Sequence, residues 1–208
     1  MNRKELIAKI REQAAKDRAG SYCYICGETP VQTEKTPSGE YYTCEAYGHR
    51  VERLFLFDGK AVCHFDDDGI VHETAGALNQ RSHADQRYTL LFLRRKFPYQ
   101  YTIPAGHVEI GKQPMHEMKR EVFEETGLQV SMIRPLWQDE TLRLHDPCRR
   151  GADWHIWHVY LAESEGIVKL SEEGRIIGWY SDDEVRDLAL QGLLTEPVAE
   201  IFKRLFSS

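Results

Sequence analysis

Hydrophobic and polar positions along this chain follow two periods in turn, and the places where the period changes mark out its elements. Leu6, Ile7 and Ile10 stand among Lys, Arg and Glu at helical spacing, which predicts a helix over residues 2–18. Residues 20–50 lose that period and become rich in Cys, Tyr, Gly, Thr and Pro, as suits a small loop-rich module. From Val51 strand-like runs take over. VERLFLF and KAVCHF flank Asp58-Gly59, a tight-turn dipeptide, so a hairpin is expected there. Residues 66–87 read as a strand fragment followed by a polar connection, and RYTLLFLRR as the next strand. After a loop rich in Pro and Gly, residues 114–126 regain helical character. WHIWHVYLA and RIIGWYS are two further strands, with Trp154, Trp157 and Trp179 as strand and core residues. The stretch from Ser181 to Phe206 reads as one or two helices, with Ser181 as an N-cap and Pro197 as a second start.

Strands and helices are mixed here without strict βαβ alternation. That favours an α+β or mixed-sheet α/β/α sandwich over residues 51–208, preceded by a small module over residues 1–50. The chain has 208 residues, enough for one sizeable domain and an accessory module. Apolar runs such as Leu90-Leu91-Phe92-Leu93 are strand-sized, far short of the ~20 residues a spanning helix needs. The first twenty residues are charged throughout and lack the apolar stretch of a signal peptide, so a cytoplasmic location and no membrane association are expected. A net charge of -6 argues against broad attachment to nucleic acid. It leaves phosphate substrates open, because a bound cation supplies positive charge locally.

Residues 104–128, PAGHVEIGKQPMHEMKREVFEETGL, carry the most chemistry. Pro114 suits a first helical turn and Gly127 a left-handed cap at the end. Met115, Met118 and Val122 recur at helical spacing and form an expected buried stripe. Glu117, Glu121, Glu124 and Glu125 fall on another face, within an arc of roughly 100° at ~100° per residue. Glutamates at i,i+4 repel one another, so a helix that gathers them calls for a cation. Mg²⁺ or Mn²⁺ suits such oxygen ligands, and Arg120 is placed to orient one carboxylate. A solvated acidic face would explain the glutamates alone, but not their order. The run from Arg120 to Leu128 reads Arg-Glu-Val-Phe-Glu-Glu-Thr-Gly-Leu, with Gly106 upstream at the matching distance. This resembles the signature of the Nudix hydrolase family, and the resemblance covers most of residues 51–208, firmly at 88–128 and loosely elsewhere.

The resemblance implies a Nudix-like fold and metal-dependent hydrolysis of a phosphoanhydride bond in a small nucleoside-diphosphate-linked substrate. It implies Glu121, Glu124 and Glu125 as Mg²⁺ or Mn²⁺ ligands, and Glu121, Glu124 and Arg120 as catalytic candidates. The general base is one of these glutamates or one from a later loop, where Glu163, Glu165, Glu172 and Glu173 stand; Glu173 joins the candidate set. Arg94 and Arg95, with Lys96 beside them, end a strand just before the signature loop and are expected to meet substrate, as are Gly106 and His107 within it. Tyr99 and Tyr101 serve either stacking or packing. The Pro-Ala-Gly-His loop resembles that of ADP-sugar hydrolases. One position departs from the pattern: Lys112 stands where the first signature glutamate belongs. In the family that glutamate supports the loop while the metal ligands come from the Arg-Glu-x-x-Glu-Glu half, so the hydrolase reading stands; the alternative the substitution keeps open is a catalytically silent domain that senses a nucleotide.

Five cysteines make an odd number, and their spacing matters more than their count. Cys23-Tyr-Ile-Cys26-Gly, then Cys44, approaches the two-knuckle zinc pattern, but the second Cys-x-x-Cys is incomplete. His49 can complete a Cys₃His site for structural Zn²⁺, with Cys63 or His64 as alternatives. Cys148 lies in a polar loop and is expected to be free. The arrangement resembles a zinc ribbon, which would brace the N-terminal region or a homodimer interface. A ribbon that reads nucleic acid is a further alternative, and the net charge speaks against it.

Overall fold

The computed structural model describes every residue except 17–19, 37–38, 67–68, 138–141 and 208. Helix α1 (Arg3–Ala15) opens the chain. Its first turn is closed reciprocally: the Asn2 side chain accepts from the Glu5 N–H while the Glu5 carboxylate accepts from the Asn2 N–H. Residues 17 and 18 of the expected helix lie outside the described residues. Strand β1 (Gly20–Cys23) is followed by β2 (Val31–Thr36), β3 (Gly39–Cys44) and β4 (Arg50–Val51), and the last three form a small antiparallel sheet. β5 (Leu54–Phe57) pairs back with β1, a contact that joins the chain on the two sides of residue 50.

The main sheet is built from β6 (Cys63–Asp66), β7 (Gly69–His83), β8 (Gln86–Arg94), β9 (Tyr101–Thr102) and β10 (Ala105–His107). After helix α2 (Pro114–Thr126) come β11 (Gln129–Pro135), β12 (Leu142–His145), β13 (Trp154–Glu165) and β14 (Gly174–Ser181), then helices α3 (Asp182–Leu190) and α4 (Glu196–Ser207). The strand order is β11-β13-β7-β8-β14, with β6 and β10 on β7, β9 on β8 and β12 on β13. β7 and β13 run parallel, and the other named pairs of this sheet are antiparallel, so the sheet is mixed.

Alternation along the central strands decides which helix lies on which face. Ala77 and Leu90 pack with Met118 and Val122 of α2. Their neighbours Leu78 and Leu91 point the other way, to Val185 of α3 and to Val198, Ile201 and Phe202 of α4. The result is the expected mixed-sheet α/β/α sandwich. A third cluster joins Leu6 and Ile10 of α1 to Tyr22, Phe55 and Ile70. Helix α3 starts where the sequence indicates, with Ser181 and Glu184 capping each other, and Pro197 lies in the first turn of α4.

Three local expectations are corrected. The runs on either side of Asp58-Gly59 do not pair as a hairpin: β5 takes β1 and β6 takes β7, because each has a different open edge to fill. Residues 69–83 are one long strand rather than a fragment and a connection. Its polar His72, Thr74 and Asn79 are buried between neighbouring strands, which hides the alternation that would have revealed it. The reversal into β8 falls at Ala84-Asp85, both with positive φ, as tight hairpin turns require. Finally, Met118 and Val122 are buried but Met115 is exposed, because α2 meets the sheet only beyond its first turn.

Candidate active site

Strand β10 lies against β7 with Gly106 opposite Ala75 and His107 opposite Thr74. Helix α2 then returns over this strand, and its glutamates meet the loop. Glu125 is almost fully buried, and its Oε2 accepts from the Ala105 N–H at 2.9 Å. A Cβ placed on Gly106 would stand 2.0 Å from Glu121 Oε1, so only glycine lets this carboxylate lie against the loop backbone. Arg120 holds the cluster together, donating to Glu117 at 2.8 Å, Glu121 at 2.6 Å and Glu124 at 2.8 Å. The helix ends on Gly127 in the left-handed conformation, its N–H bonded to the Phe123 carbonyl.

These groups line a cleft of about 600 Å³. On one side stand Arg120, Glu121, Glu124 and Glu125; Arg94, Lys96, Arg149 and Arg150 also line it, together with Gly106, His107 and Glu173. Arg149 is held by Glu40 at 2.8 Å and donates to the Tyr42 hydroxyl; Arg150 is held by Asp58 at 2.6 Å and Lys96 by Glu173 at 2.9 Å. Burial pushes the Glu121 carboxyl up to about 7, with repulsion from Glu124 and Glu173 opposing the pull of Arg120. Burial, with Glu121 nearby, also holds Glu125 well above the usual carboxylate range. Two neighbouring carboxyls that resist ionisation together are a receptive environment for a cation, and their oxygens are hard donors that fit Mg²⁺ or Mn²⁺.

The structure therefore brings Glu121, Glu124, Glu125, Arg120, Glu173, Arg94, Gly106 and His107 to one cleft. Arg95 is exposed outside that wall, where its N–H bonds the Glu173 carbonyl. Glu163 and Glu165 belong to β13 and line a different surface from the glutamates of α2. Tyr101 packs edge-on against Tyr180 in the core, while Tyr99 bonds Glu52. Lys112 is exposed in a turn where its N–H bonds the Glu109 carbonyl. Arg149 and Arg150 give no signal in the sequence, because they sit in an irregular loop far beyond the helix end and belong to no motif.

The N-terminal cysteines also come together. Ligand atoms of Cys23, Cys26, Cys44 and His49 all lie within 4.8 Å of one another, with Cys26 Sγ 3.7 Å from Cys44 Sγ and Cys23 Sγ 3.7 Å from His49 Nδ1. Two turns of the same backbone design present them. Gly27 N bonds Cys23 O and Cys23 N bonds Glu28 O; likewise Gly48 N bonds Cys44 O and Cys44 N bonds His49 O. The second turn thus keeps the knuckle backbone, with Tyr47 at the position matching Cys26 and the ligand moved to His49. The alternatives go elsewhere: His64 bonds Glu73 at 2.8 Å, and Cys63 packs against the cluster around Phe55.

Comparison with known proteins agrees with this architecture. A model of the NUDIX domain matches residues 72–205. A MutT-like protein of Streptomyces ambofaciens is 29% identical over 98 residues, 47% of this chain and 58% of that protein, so this chain spans somewhat over half of that relative's length. Among solved structures, a Nudix hydrolase from M. smegmatis superposes with a TM-score of 0.52 at 18% identity, covering 73% of this chain and 94% of that one. The NUDIX domain of Shewanella oneidensis NrtR, complexed with ADP ribose, gives 0.51 at 18% over 64% and 85%. A C. elegans Ap4A hydrolase gives 0.50 at 20% over 65% and 95%. These likenesses show the fold, and the family match over well more than half of the sequence adds the lineage: the chain belongs to the NUDIX family.

Proposed function

We propose that this protein hydrolyses a phosphoanhydride bond in a small nucleoside-diphosphate-linked substrate, with Mg²⁺ or Mn²⁺ held by Glu121, Glu124 and Glu125. The observation that carries this reading is one cleft in which the carboxylates of α2 share the wall with the basic side chains of Lys60, Arg94, Lys96, Arg149 and Arg150. The cation supplies Lewis acidity toward phosphoryl oxygens and the attacking water when bound. Arg94, Lys96, Arg149 and Arg150, lining the same cleft, would bind and orient the diphosphate. Arg120, bonded to three glutamates, holds their carboxylates at fixed positions. The general base is one of these glutamates or Glu173, which lines the same cleft.

Within this reading, the resemblance of the Pro104-Ala105-Gly106-His107 loop supports an ADP-sugar-like substrate. The Cys23, Cys26, Cys44 and His49 group fits structural Zn²⁺, since its sulfur and nitrogen donors form a set of four within 4.8 Å of one another, a set of donors typical of structural zinc. Residues 1–50 then serve as a ribbon-like module and residues 51–208 as the catalytic domain, working in the cytoplasm, alone or as a homodimer. Release of phosphate-bearing products from ADP-ribose, NADH, dinucleoside polyphosphates and nucleotide sugars, with and without Mg²⁺, tests the proposal. Turnover of one class that stops on chelation is expected. Tight binding of a nucleotide without turnover of any would replace the hydrolase by a nucleotide sensor.

A further inference from the structure

A second group of metal-type ligands, distinct from the glutamates and the ribbon, lies inside the NUDIX domain, where His107, Cys148 and His155 line the same cleft as the glutamates of α2. His72 comes from β7, His107 from β10, Cys148 from the loop after β12 and His155 from β13. One ligand atom from each lies within 4.8 Å of all the others. We propose that these four residues bind a Zn²⁺ ion as a closed His₃Cys site.

The spacing suits the ion. Zinc held tetrahedrally at ~2.0–2.1 Å from nitrogen and ~2.3 Å from sulfur separates two nitrogens by about 3.3 Å, and a nitrogen from a sulfur by about 3.5 Å. His107 Nε2 and His155 Nε2 are 3.3 Å apart, and Cys148 Sγ is 3.7 Å from His72 Nδ1. The three rings turn steeply to one another, with centroids 5.0, 5.6 and 5.3 Å apart, so they converge on a point rather than stack.

Burial makes a purely structural histidine cluster a poor explanation. His72 and His155 are each about 1% exposed, which removes water as a partner. His155 Nδ1 faces Asp146, which leaves Nε2, 3.3 Å from His107 Nε2, as the ring atom turned to the cluster. Asp146 Oδ2 stands 3.5 Å from Nδ1 and accepts from Trp157 Nε1 at 3.1 Å. A carboxylate on the far nitrogen of a metal-bound histidine is the usual outer partner that fixes the ring. Imidazoles and a thiolate select zinc, whereas the hard oxygens of α2 select magnesium or manganese, so the two sites need not compete for one ion.

The position gives the ion a purpose. His107 follows Gly106, against which Glu121 rests, and Cys148 precedes Arg149 and Arg150, which line the same cleft. A metal here would staple the signature loop and the arginine loop to the two central parallel strands. With four protein ligands it has no open position for substrate, so it positions these residues and does not react.

Zinc-edge X-ray absorption on the full-length protein tests this without any substitution. Two filled sites, one Cys₃His and one CysHis₃, give two zinc ions per chain and an average shell of two sulfurs and two nitrogens. A single zinc with one sulfur and three nitrogens also supports the site and leaves the ribbon empty. A shell of three sulfurs and one nitrogen, or no zinc after incubation with zinc sulfate, overturns it. As a second measurement, the Cys23→Ser/Cys26→Ser protein is expected to keep one zinc with one sulfur, and Cys148→Ser in the natural background to lose one zinc while retaining the three-sulfur shell. Unchanged zinc content and shell in Cys148→Ser would equally overturn the assignment. Neither readout depends on the substrate, so the result stands apart from the proposed hydrolysis.

Discussion

Gly106 and Glu121 are in such close contact that a methyl group on the glycine would fall 2.0 Å from a carboxylate oxygen. A strand residue and a helix residue 15 positions apart are thereby made to depend on each other. Gly106→Ala is expected to push Glu121 out of place, lowering kcat by at least about 10²-fold, the usual cost of misplacing a catalytic group. The fold should survive with a loss of about 1–3 kcal/mol, typical of overpacking. Steady-state kinetics beside urea unfolding measures both, and full activity in Gly106→Ala would separate Glu121 from the chemistry.

The glutamates should differ sharply from Lys112. Glu124→Gln and Glu125→Gln are each expected to cost about 10²-fold or more in turnover, since each removes a carboxyl oxygen donor from the cluster facing the cleft. Lys112→Glu should change turnover little, because Lys112 is an exposed turn residue outside the residues that line the cleft. An inactive natural protein that gains activity from Lys112→Glu alone would show that this lysine marks a domain turned to binding.

Elemental analysis of protein purified without added metal addresses the ribbon. Cys23→Ser combined with Cys26→Ser is expected to remove one zinc per chain, because Cys23 and Cys26 supply two of the four ligand atoms gathered there. Zinc content that ignores this double substitution would end the ribbon assignment.

Acid should weaken the start of α3 in a defined window. The N–H and hydroxyl of Ser181 both bond Glu184 and hold its carboxyl below the ordinary value. A folded pKa below the unfolded one means that the unfolded chain binds the proton more readily. The stabilisation is therefore complete above the unfolded value and is lost as pH falls through the lowered folded value. Compared with Glu184→Gln, the natural protein should be more stable by only about 0.3 kcal/mol at pH 7, because Glu184 is exposed and solvent screens its charge. The difference should vanish in strong acid. Paired urea titrations at the two pH values check this, and a gap that is independent of pH would assign the cap to neutral hydrogen bonding.

What the sequence by itself determined is what depends on neighbours along the chain. Helix α2 appears with its Pro114 start and Gly127 end because both signals are local backbone preferences, and its glutamates share a face because a helix repeats every 3.6 residues. The signature order added Gly106, and the Cys23–Cys26 spacing disclosed half of a knuckle. Tertiary structure alone decided the rest. It paired β5 with β1 and β6 with β7, since either edge could satisfy the backbone equally well. It chose His49 over His64, because the second knuckle is recorded in backbone hydrogen bonds rather than in a cysteine. It also placed Arg149 and Arg150 in the cleft with the glutamates, and gathered His72, His107, Cys148 and His155 around one point. Those four lie on separate strands and a loop, so no periodicity links them. Only the register of β7 with β10 and β13 makes them neighbours.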